Sequence, residues 1–446
     1  MPTTKPALAG DLAPFGGEVI APGDAGYDRL RAVWNGTFDR RPAFILRARN
    51  STDVRAAIRL ASDRHMPLAV RCGGHSLPGY STCDEGIVLD LSLMKAIRID
   101  PIEQIAEVEG GALLGDLDKA GGPYGLVTPA GVVSHTGVAG LTLGGGQGWL
   151  SRRFGLTIDN LMAVEVCLAD GSLIPASREQ EPELFWGLRG GGGNFGVVTK
   201  FVFRMHHLGD VVVGRWEYAA QQMRTALGAY GSLASLAPRQ LSTAFTVTRD
   251  KLVVTVLWSG NLAGAESAVA AFGHLAPDAA GTLGGSSFLQ LQSRGDDHFS
   301  WGRCYYAKGG FLSDFKSPVV DAICSTIANA PTPDSEIYML QLGGAVCDVG
   351  EDETAYSGRS AGFYWIVEPV WDQPSDGAKC LTWGRDAAKL LGEQSLTTNY
   401  VNEQSDSGIA QQSYGAEKYR RLVQLKTRWD PTNLFRLNQN IQPSAG

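Results

Sequence analysis

The chain has 446 residues, of which 44% are hydrophobic and 19% are charged, and its formal net charge is −7. A chain of this length buries more than one core, and an acidic balance without basic runs gives no electrostatic footprint for nucleic acid. It has no run of about 18 apolar residues, no signal-peptide pattern and no CxxC pair among its seven cysteines, so we expect a cytoplasmic globular protein without membrane contact, disulfide framework or metal site.

The first part of the chain alternates short apolar runs with a helical pattern. Residues 51–65 begin with Ser51, Thr52 and Asp53 and space their apolar residues by three and four, which predicts a capped helix. The apolar runs that predict strands are MPLAVR, GIVLDLS, AIRID, AEVEGG and VVTKFVFRM. Between these elements lie glycine-rich loops: RCGGHSLPGYS, GGALLGDL, TPAGVVSHTGVAGLTLGGGQG and LRGGGGNFGVV.

From about His206 the pattern becomes that of a sheet covered by helices. Strands are predicted in VVVGRWEYA, LSTAFTVTRDKLVVTVLWSG, EIYMLQLGG and AGFYWIVEPVW, and helices near residues 221–236 and 265–275, which indicates an α+β arrangement. The last segment predicts an amphipathic helix that stops after Asp430, where a proline follows. We therefore expect a glycine-loop domain over residues 1–205, a sheet domain over 206–395, and a C-terminal segment, 396–446, that returns to the first domain.

The glycine run GGGGNFG has the GxGxxG spacing of dinucleotide-binding folds at Gly191, Gly193 and Gly196. A helical pattern precedes these glycines and a β-branched strand follows them, which is the reverse of the order that such a fold requires, so the sequence disfavours a Rossmann site. Bare N–H groups of glycine loops form anion-binding concavities. Several separate loops suit a long, partly phosphorylated cofactor, and tight turns in a glycine-rich β fold are the alternative.

Five segments in a fixed order carry a family resemblance: RCGGHSLPGYS, GGALLGDL, GLTLGGGQGWLSRRFGLTIDNL, LFWGLRGGGGNFGVVT and YRRLVQLKTRWDPTNLFRLNQNI. Together they resemble the berberine-bridge-enzyme-like branch of the vanillyl-alcohol-oxidase flavoprotein superfamily, over residues 30–205 and 396–443. The resemblance implies an α+β fold with a PCMH-type FAD-binding domain of two subdomains, and an antiparallel-sheet substrate domain covered by helices. It also implies an FAD-dependent oxidoreductase.

The same resemblance implies that His75 is bonded covalently to the 8α-methyl carbon of the flavin. The chemistry is reasonable because a neutral imidazole is a nucleophile, and Gly73 and Gly74 have no side chains to keep the ring away. From the loop alone, an ordinary exposed histidine is the alternative. Relatives with a second, cysteinyl tether carry a cysteine where this chain has Val133, so we predict a single covalent link.

Further cofactor contacts are implied on several loops, and for any amide among them a capping or turn-forming role is the alternative. In chain order these positions are Arg71, Cys72, Gly73, Gly74, Ser76, Gly79, Tyr80, Gly111, Gly131, His135, Thr136, Gly137, Gly140, Gly144, Gly145, Gly146, Gly148, Asn160, Gly196, Val197, Val198, Asn438 and Asn440.

Three residues are candidates for the chemistry on the substrate. The resemblance places Thr136 near flavin C4a and N5, where it would control the access of dioxygen. Glu368 is a carboxylate among aromatic residues on a predicted strand: facing the flavin, it would have a raised pKa, but a shift of one residue would turn it to solvent, and the sequence leaves both open. Tyr400 resembles a tyrosine beside the substrate, with packing as the alternative. Packing is expected for Tyr364 and Trp371.

We therefore expect an FAD-linked oxidase that acts on a small organic substrate, of natural-product, polyketide or alkaloid type, with dioxygen as the acceptor. An internal monooxygenase that carries oxygen on flavin N5 is one alternative, because Thr136 is polar. A dehydrogenase that passes electrons to a protein or quinone is the other. No GxSxG, HExxH or Walker motif supports a hydrolase or kinase.

Overall fold

The computed structural model describes residue 12 and residues 14–444. Its strands are β1 Glu18–Ile20, β2 Phe44–Arg47, β3 Leu68–Arg71, β4 Ile87–Asp90, β5 Ile97–Asp100, β6 Ile105–Glu109, β7 Leu126–Val127, β8 Leu161–Cys167, β9 Leu173–Ser177, β10 Val197–Arg204, β11 His206–His207, β12 Val211–Ala219, β13 Leu241–Val247, β14 Lys251–Trp258, β15 Ala280–Ser286, β16 Cys304–Tyr305, β17 Lys308–Leu312, β18 Glu336–Gln341, β19 Phe363–Glu368 and β20 Val370–Trp371.

The α-helices are α1 Tyr27–Arg31, α2 Ser51–Asp63, α3 Leu114–Gly121, α4 Val138–Gly144, α5 Ser151–Phe154, α6 Pro182–Leu188, α7 Met223–Ser235, α8 Ala265–Ala270, α9 Phe288–Gln292, α10 Ser317–Ile327, α11 Gly377–Gly392, α12 Ala410–Tyr414 and α13 Ala416–Trp429. Short 3-10 turns span Gly122–Tyr124, Thr157–Asp159, Ala220–Gln222, Ala271–His274, Gly344–Asp348, Pro374–Asp376 and Val401–Glu403. Among the described residues, no helix is both long and apolar enough to cross a bilayer.

Two sheets hold the glycine-rich first part of the chain. A four-stranded sheet has the order β1-β2-β4-β3, in which β2, β4 and β3 run parallel and β1 pairs antiparallel at the edge. A five-stranded antiparallel sheet has the order β5-β6-β10-β8-β9. The glycines of the GxGxxG run lie between helix α6 and strand β10, in the order that the sequence analysis described, which is not the order of a dinucleotide-binding fold.

The middle of the chain forms a seven-stranded antiparallel sheet with the order β15-β12-β14-β13-β18-β19-β17. Along a strand, successive side chains point to opposite faces. Met339 and Trp365 lie in the core on one face, together with residues of helices α7, α10 and α11. Tyr338 and Tyr364 belong to the other face, which closes a cavity. A sheet covered by helices on one face, next to two glycine-loop sheets, confirms the predicted α+β class.

The local predictions hold with two corrections. Helix α2 begins at Ser51, but its N-cap is Asn50, whose side chain accepts a hydrogen bond from the Asp53 amide at 3.1 Å. The helix predicted over residues 265–275 consists of a short α-helix, Ala265–Ala270, and a 3-10 turn, Ala271–His274. Helices α10 and α11 and strands β2, β8, β9, β15 and β17 were not predicted, and helices α3 and α4 lie in segments that had been assigned to glycine-rich loops.

The C-terminal segment contacts the glycine loops. Lys426 of helix α13 is fully buried; it pairs with Asp430 at 2.7 Å and donates to the carbonyl oxygens of Asn194 and Phe435, at 2.8 Å each. Asn438 donates to the Gly193 carbonyl at 3.2 Å. These bonds bring the C-terminal residues to the loop before β10; the domain boundaries at 205 and 395 stay a prediction.

Candidate active site

A cavity of about 700 Å³ lies between the glycine loops and one face of the seven-stranded sheet. Its wall includes most of the loop residues that the sequence analysis selected. These are Cys72, Gly73, Gly74, His75, Ser76, Tyr80, Gly131, Thr136, Gly137, Gly140, Gly196, Val197, Val198 and Asn438, together with Glu368 and Tyr400. The structure therefore brings into one cavity residues that are far apart in the sequence.

His75 is held on this wall by aromatic and polar neighbours. Its ring stacks on Trp34, with centroids 4.8 Å apart, and Trp301 approaches edge-on at 6.2 Å. Its Nε2 atom lies 2.6 Å from Nδ1 of His135. Burial, with a smaller contribution from His135, lowers the pKa of His75 to about 3, so the imidazole is neutral at physiological pH. A neutral, fixed imidazole is suited to nucleophilic attack.

The position predicted to lack a second tether also faces the cavity. Val133 lies on the wall, in the loop that carries Thr136. Another sulfur, that of Cys72, is on the wall as well, but it donates to the Ala112 carbonyl at 3.3 Å, and burial raises the pKa of the thiol to about 12. Because the thiolate is the nucleophilic form, Cys72 is a poor substitute for a cysteine at position 133.

Several predicted cofactor residues do not lie on the wall. Arg71 forms an ion pair with Asp90 at 2.5 Å, and the Asn160 amide donates to the carbonyls of Phe154 and Leu156 at 2.9 and 3.0 Å. The glycines from 144 to 148 pack against neighbouring protein atoms. The cavity therefore gives no support for a direct cofactor contact by Arg71, Gly79, Gly111, His135, Gly144, Gly145, Gly146, Gly148, Asn160 or Asn440.

The floor of the cavity is one face of strands β18 and β19. Alternate residues of each strand lie on it: Glu336, Tyr338, Leu340, Tyr364, Ile366 and Glu368. The sequence left the direction of Glu368 open, and the structure turns it into the cavity, where the residue is 5% exposed. Tyr364 lines the cavity and also packs in a buried cluster against Phe311 and Tyr400, and Trp371 packs with Tyr306 and Cys380, as expected for both.

The carboxyl group of Glu368 has a pKa raised well above its ordinary value. The largest cause is burial, and the neighbouring carboxylates of Glu336 and Glu403 act in the same direction, while His298 opposes them. His298 Nε2 lies 3.0 Å from Oε2 of Glu336. The hydrogen bond to Glu336 raises the pKa of His298 to about 9, against the effect of burial. The sequence analysis identified neither Glu336 nor His298.

A second polar group lies where the C-terminal segment meets the cavity. The hydroxyl oxygen of Tyr400 accepts hydrogen bonds from the Gly146 amide at 3.0 Å and from the Asn402 side chain at 2.9 Å. Burial raises the pKa of Tyr400 well above its usual range, so it is a neutral phenol whose own proton is available to a ligand. Glu403 was also missed; burial raises its pKa to about 7, and the neighbouring Tyr364 hydroxyl partly offsets this.

Comparison with known proteins identifies the family. The FAD binding domain model matches residues 42–177, and the model for berberine and berberine-like proteins matches residues 399–442. An FAD-linked oxidoreductase of Dictyostelium discoideum is 32% identical over 415 residues, which cover 92% of this chain and 91% of the relative. The chain belongs to the berberine-bridge-enzyme-like FAD-linked oxidoreductases.

Other known proteins are similar to this chain along nearly its whole length. The (R)-6-hydroxynicotine oxidase of Paenarthrobacter nicotinovorans is 29% identical over 96% of this chain and 97% of its own. The crystal structure of 6-hydroxy-D-nicotine oxidase from Arthrobacter nicotinovorans superposes with a TM-score of 0.86 and 28% identity, over 96% of this chain and 98% of that one. The BBE-like 1 protein of Physcomitrella patens has a TM-score of 0.91 at 22% identity, over 98% of this chain and 100% of that one, a likeness of fold.

The cavity of this FAD-linked oxidoreductase fits the cofactor of its family. Both amide atoms of Gln147, the Asn438 oxygen and the Gln439 oxygen are buried, have no protein partner and belong to residues on the wall. Buried polar atoms are rarely left unpaired, and a flavin nucleotide presents many donors and acceptors. A Cβ at Gly140 or Gly193 would meet no atom within 4 Å, so a ligand has room to approach their backbone.

Proposed function

We propose that this FAD-linked oxidoreductase holds its flavin through a single covalent bond from His75 and oxidises a small organic substrate with dioxygen as the acceptor. The observation that carries the proposal is that the neutral, buried imidazole of His75 and the carboxyl group of Glu368 lie on the wall of the same cavity. FAD, when bound, accepts a hydride equivalent from the substrate. The protein then has to hold the substrate and remove a proton from its O–H or N–H group.

The residues of the floor support those tasks. Glu368 is the candidate for the proton transfer, because it is a carboxyl group that faces the cavity away from bulk solvent. Tyr400, as a neutral phenol fixed by two hydrogen bonds, would orient a substrate oxygen or nitrogen by donating to it. Thr136 lies in the loop that also carries Val133 and His135, where it would control the space open to dioxygen.

The test of the covalent bond uses acid precipitation. We expect flavin to stay in the acid pellet of the wild-type protein and to appear entirely in the supernatant of His75→Ala. His207→Ala is the matched control, because His207 is exposed and lies outside the cavity wall, and its pellet should keep the flavin. Complete release of flavin from the wild-type protein would refute the single tether.

The test of the reaction measures anaerobic bleaching of the bound flavin. A panel of secondary alcohols, cyclic amines including 6-hydroxynicotine, and β-dicarbonyl compounds is suggested by the name of the nicotine-oxidising relative and by the polar floor. Bleaching by a panel member followed by rapid reoxidation in air would support an oxidase. Bleaching with slow reoxidation in air would instead indicate a dehydrogenase with another acceptor.

A further inference from the structure

Glu336 and Glu368 face each other across two neighbouring strands. They are direct partners in the antiparallel register of β18 and β19, and both lie on the cavity wall. Side chains that are directly opposite in an antiparallel pair have Cβ atoms about 4.5–5.5 Å apart and point to the same face. The two carboxyl groups are therefore within reach of a shared proton, either through one hydrogen bond or through one bridging water.

Burial makes it unfavourable for both groups to be ionised. Glu336 is 2% exposed and Glu368 is 5% exposed. Like charges this close in a buried site repel each other strongly, and such a pair releases its two protons in well-separated steps. At neutral pH Glu368 accordingly keeps a proton, because burial and the neighbouring carboxyl groups raise its pKa.

The negative charge has one partner, which is partly open to solvent. Nε2 of His298 lies 3.0 Å from the Glu336 carboxylate, and the His298 side chain is 41% exposed, whereas that of Glu336 is 3% exposed. The imidazolium of His298 is thus paired with Glu336, and the proton stays on Glu368, whose pKa is raised. His298 also lines the cavity, so it connects the pair to solvent-accessible space.

From this geometry we propose that Glu336 and Glu368 act as one proton-sharing pair and that His298 is the group through which their surplus proton leaves for solvent. The role in turnover rests on the proposed function; the sharing of a proton does not. Glu336 and His298 are positioning residues in this scheme, because Glu368 is the group proposed to meet the substrate.

Each turnover moves one proton from the substrate to bulk water and returns the three groups to their starting protonation. When Glu368 takes the proton of a substrate O–H or N–H, its own proton passes to Glu336, and the pair becomes neutral with two protons. Without the carboxylate beside it, the imidazolium of His298 loses the interaction that kept it charged, so it releases its proton to bulk water. Glu336 then gives its proton to the neutral His298, which restores the starting state.

Other titratable groups near the three side chains do not replace any of them. Asp334 acts on His298 more weakly than the pair does, and Arg303 holds it in an ion pair at 2.7 Å while also binding Asp372 at 2.8 Å. Glu403, Tyr305 and Tyr338 also interact with the pair, and the cations Arg215, Lys251 and Arg294 line the same cavity. The two tyrosines have pKa values raised well above their usual range, so they stay neutral throughout.

The first experiment needs no substrate. Infrared spectra of the oxidised holoenzyme, with glutamate isotopically labelled, would report a protonated glutamate carboxyl at pH 8.5. Glu403, with a pKa of about 7, would be only about 3% protonated there. We expect the band in the wild type and in Glu403→Gln and its loss in Glu368→Gln. Its absence from the wild type, or its survival in Glu368→Gln, would overturn the shared proton.

The second experiment tests His298 during turnover. Removing a positive charge beside the pair raises its affinity for protons, so His298→Gln should move the acid limb of the kcat/KM profile up by about one pH unit or more. Glu336→Gln removes the carboxylate partner of His298 and leaves the more basic Glu368 as the single proton acceptor, so it should also move the limb up; His207→Gln should leave it in place. If the acid limb of the profile stays in place in both His298→Gln and Glu336→Gln, the proton exit is refuted. If no substrate is ever oxidised, the proposed function fails, while the infrared result still decides the shared proton.

Discussion

The low pKa of His75 predicts that covalent attachment of the flavin is insensitive to mild acid. Only the neutral imidazole can attack the flavin methyl carbon, so the rate should follow the neutral fraction. With a pKa of about 3, His75 is about 99.7% neutral at pH 5.5. An imidazole of ordinary pKa, near 6.5, would be about 9% neutral at that pH and about 91% neutral at pH 7.5.

The assay follows the reconstitution of apoprotein with saturating FAD at pH 5.5, 6.5 and 7.5 and measures flavin fluorescence in the acid pellet against time. We expect equal rates at the three pH values. Trp301 is 49% exposed and contacts the His75 ring edge-on, so Trp301→Ala should open the edge of the ring to water. The pKa of His75 should then rise toward its ordinary value, and the attachment rate at pH 5.5 should fall by up to about tenfold. A tenfold fall in the wild type, with total bound FAD unchanged, would refute the argument from burial.

Four further substitutions test the site. Glu368→Gln keeps the shape of the side chain but removes the proton acceptor, so kcat/KM should fall about 10²–10⁴-fold with the melting temperature retained; a loss of less than threefold would contradict the role. Gly73→Ala places a Cβ 2.4 Å from a backbone nitrogen of the facing loop and should cost about 1–3 kcal/mol in urea unfolding. Gly140→Ala meets no atom within 4 Å and should leave the apoprotein as stable as wild type but weaken FAD binding. Val133→Cys in the His75→Ala background should recover covalent flavin in the acid pellet, and a colourless pellet would show that position 133 does not face the ring.

The fold was predicted well where periodicity is local. The helix missed at Gly377–Gly392 has its apolar stripe in the sequence, at Cys380, Trp383, Ala387 and Leu391, but a glycine at each end hid its boundaries. The edge strand Ala280–Ser286 has a sequence, AGTLGGS, with weak strand propensity. It forms because β12 offers it a full row of backbone partners, and that is tertiary information.

The candidate site also combines residues that the sequence suggests and residues that only the three-dimensional structure brings together. His75 and the loop glycines were proposed from a contiguous motif, which also suggested Asn160 and the glycines at 144–148. The structure places His75 on the cavity wall and the latter residues off it, where they contact neighbouring protein atoms. Glu336 lies in a strand with no motif, and only the register of β18 against β19 places it opposite Glu368. A register shift of one residue would turn either side chain to the other face, so sequence periodicity alone does not determine the pair.

One segment links His75, the proposed site of covalent attachment, to the proposed proton-sharing pair. In residues 293–303, the Asp296 carboxylate accepts hydrogen bonds from the Ser134 amide and hydroxyl, and the Phe299 carbonyl accepts one from the indole of Trp34, which stacks on His75. His298, which lies between Asp296 and Phe299 in the chain, pairs with Glu336. Because hydrogen bonds at Asp296 and Phe299 hold the segment on both sides of His298, the position of His298 depends on the elements that carry Ser134 and Trp34. The surroundings of His75 and the placement of the His298–Glu336 ion pair on the cavity floor therefore depend on the same segment, although no sequence motif connects them.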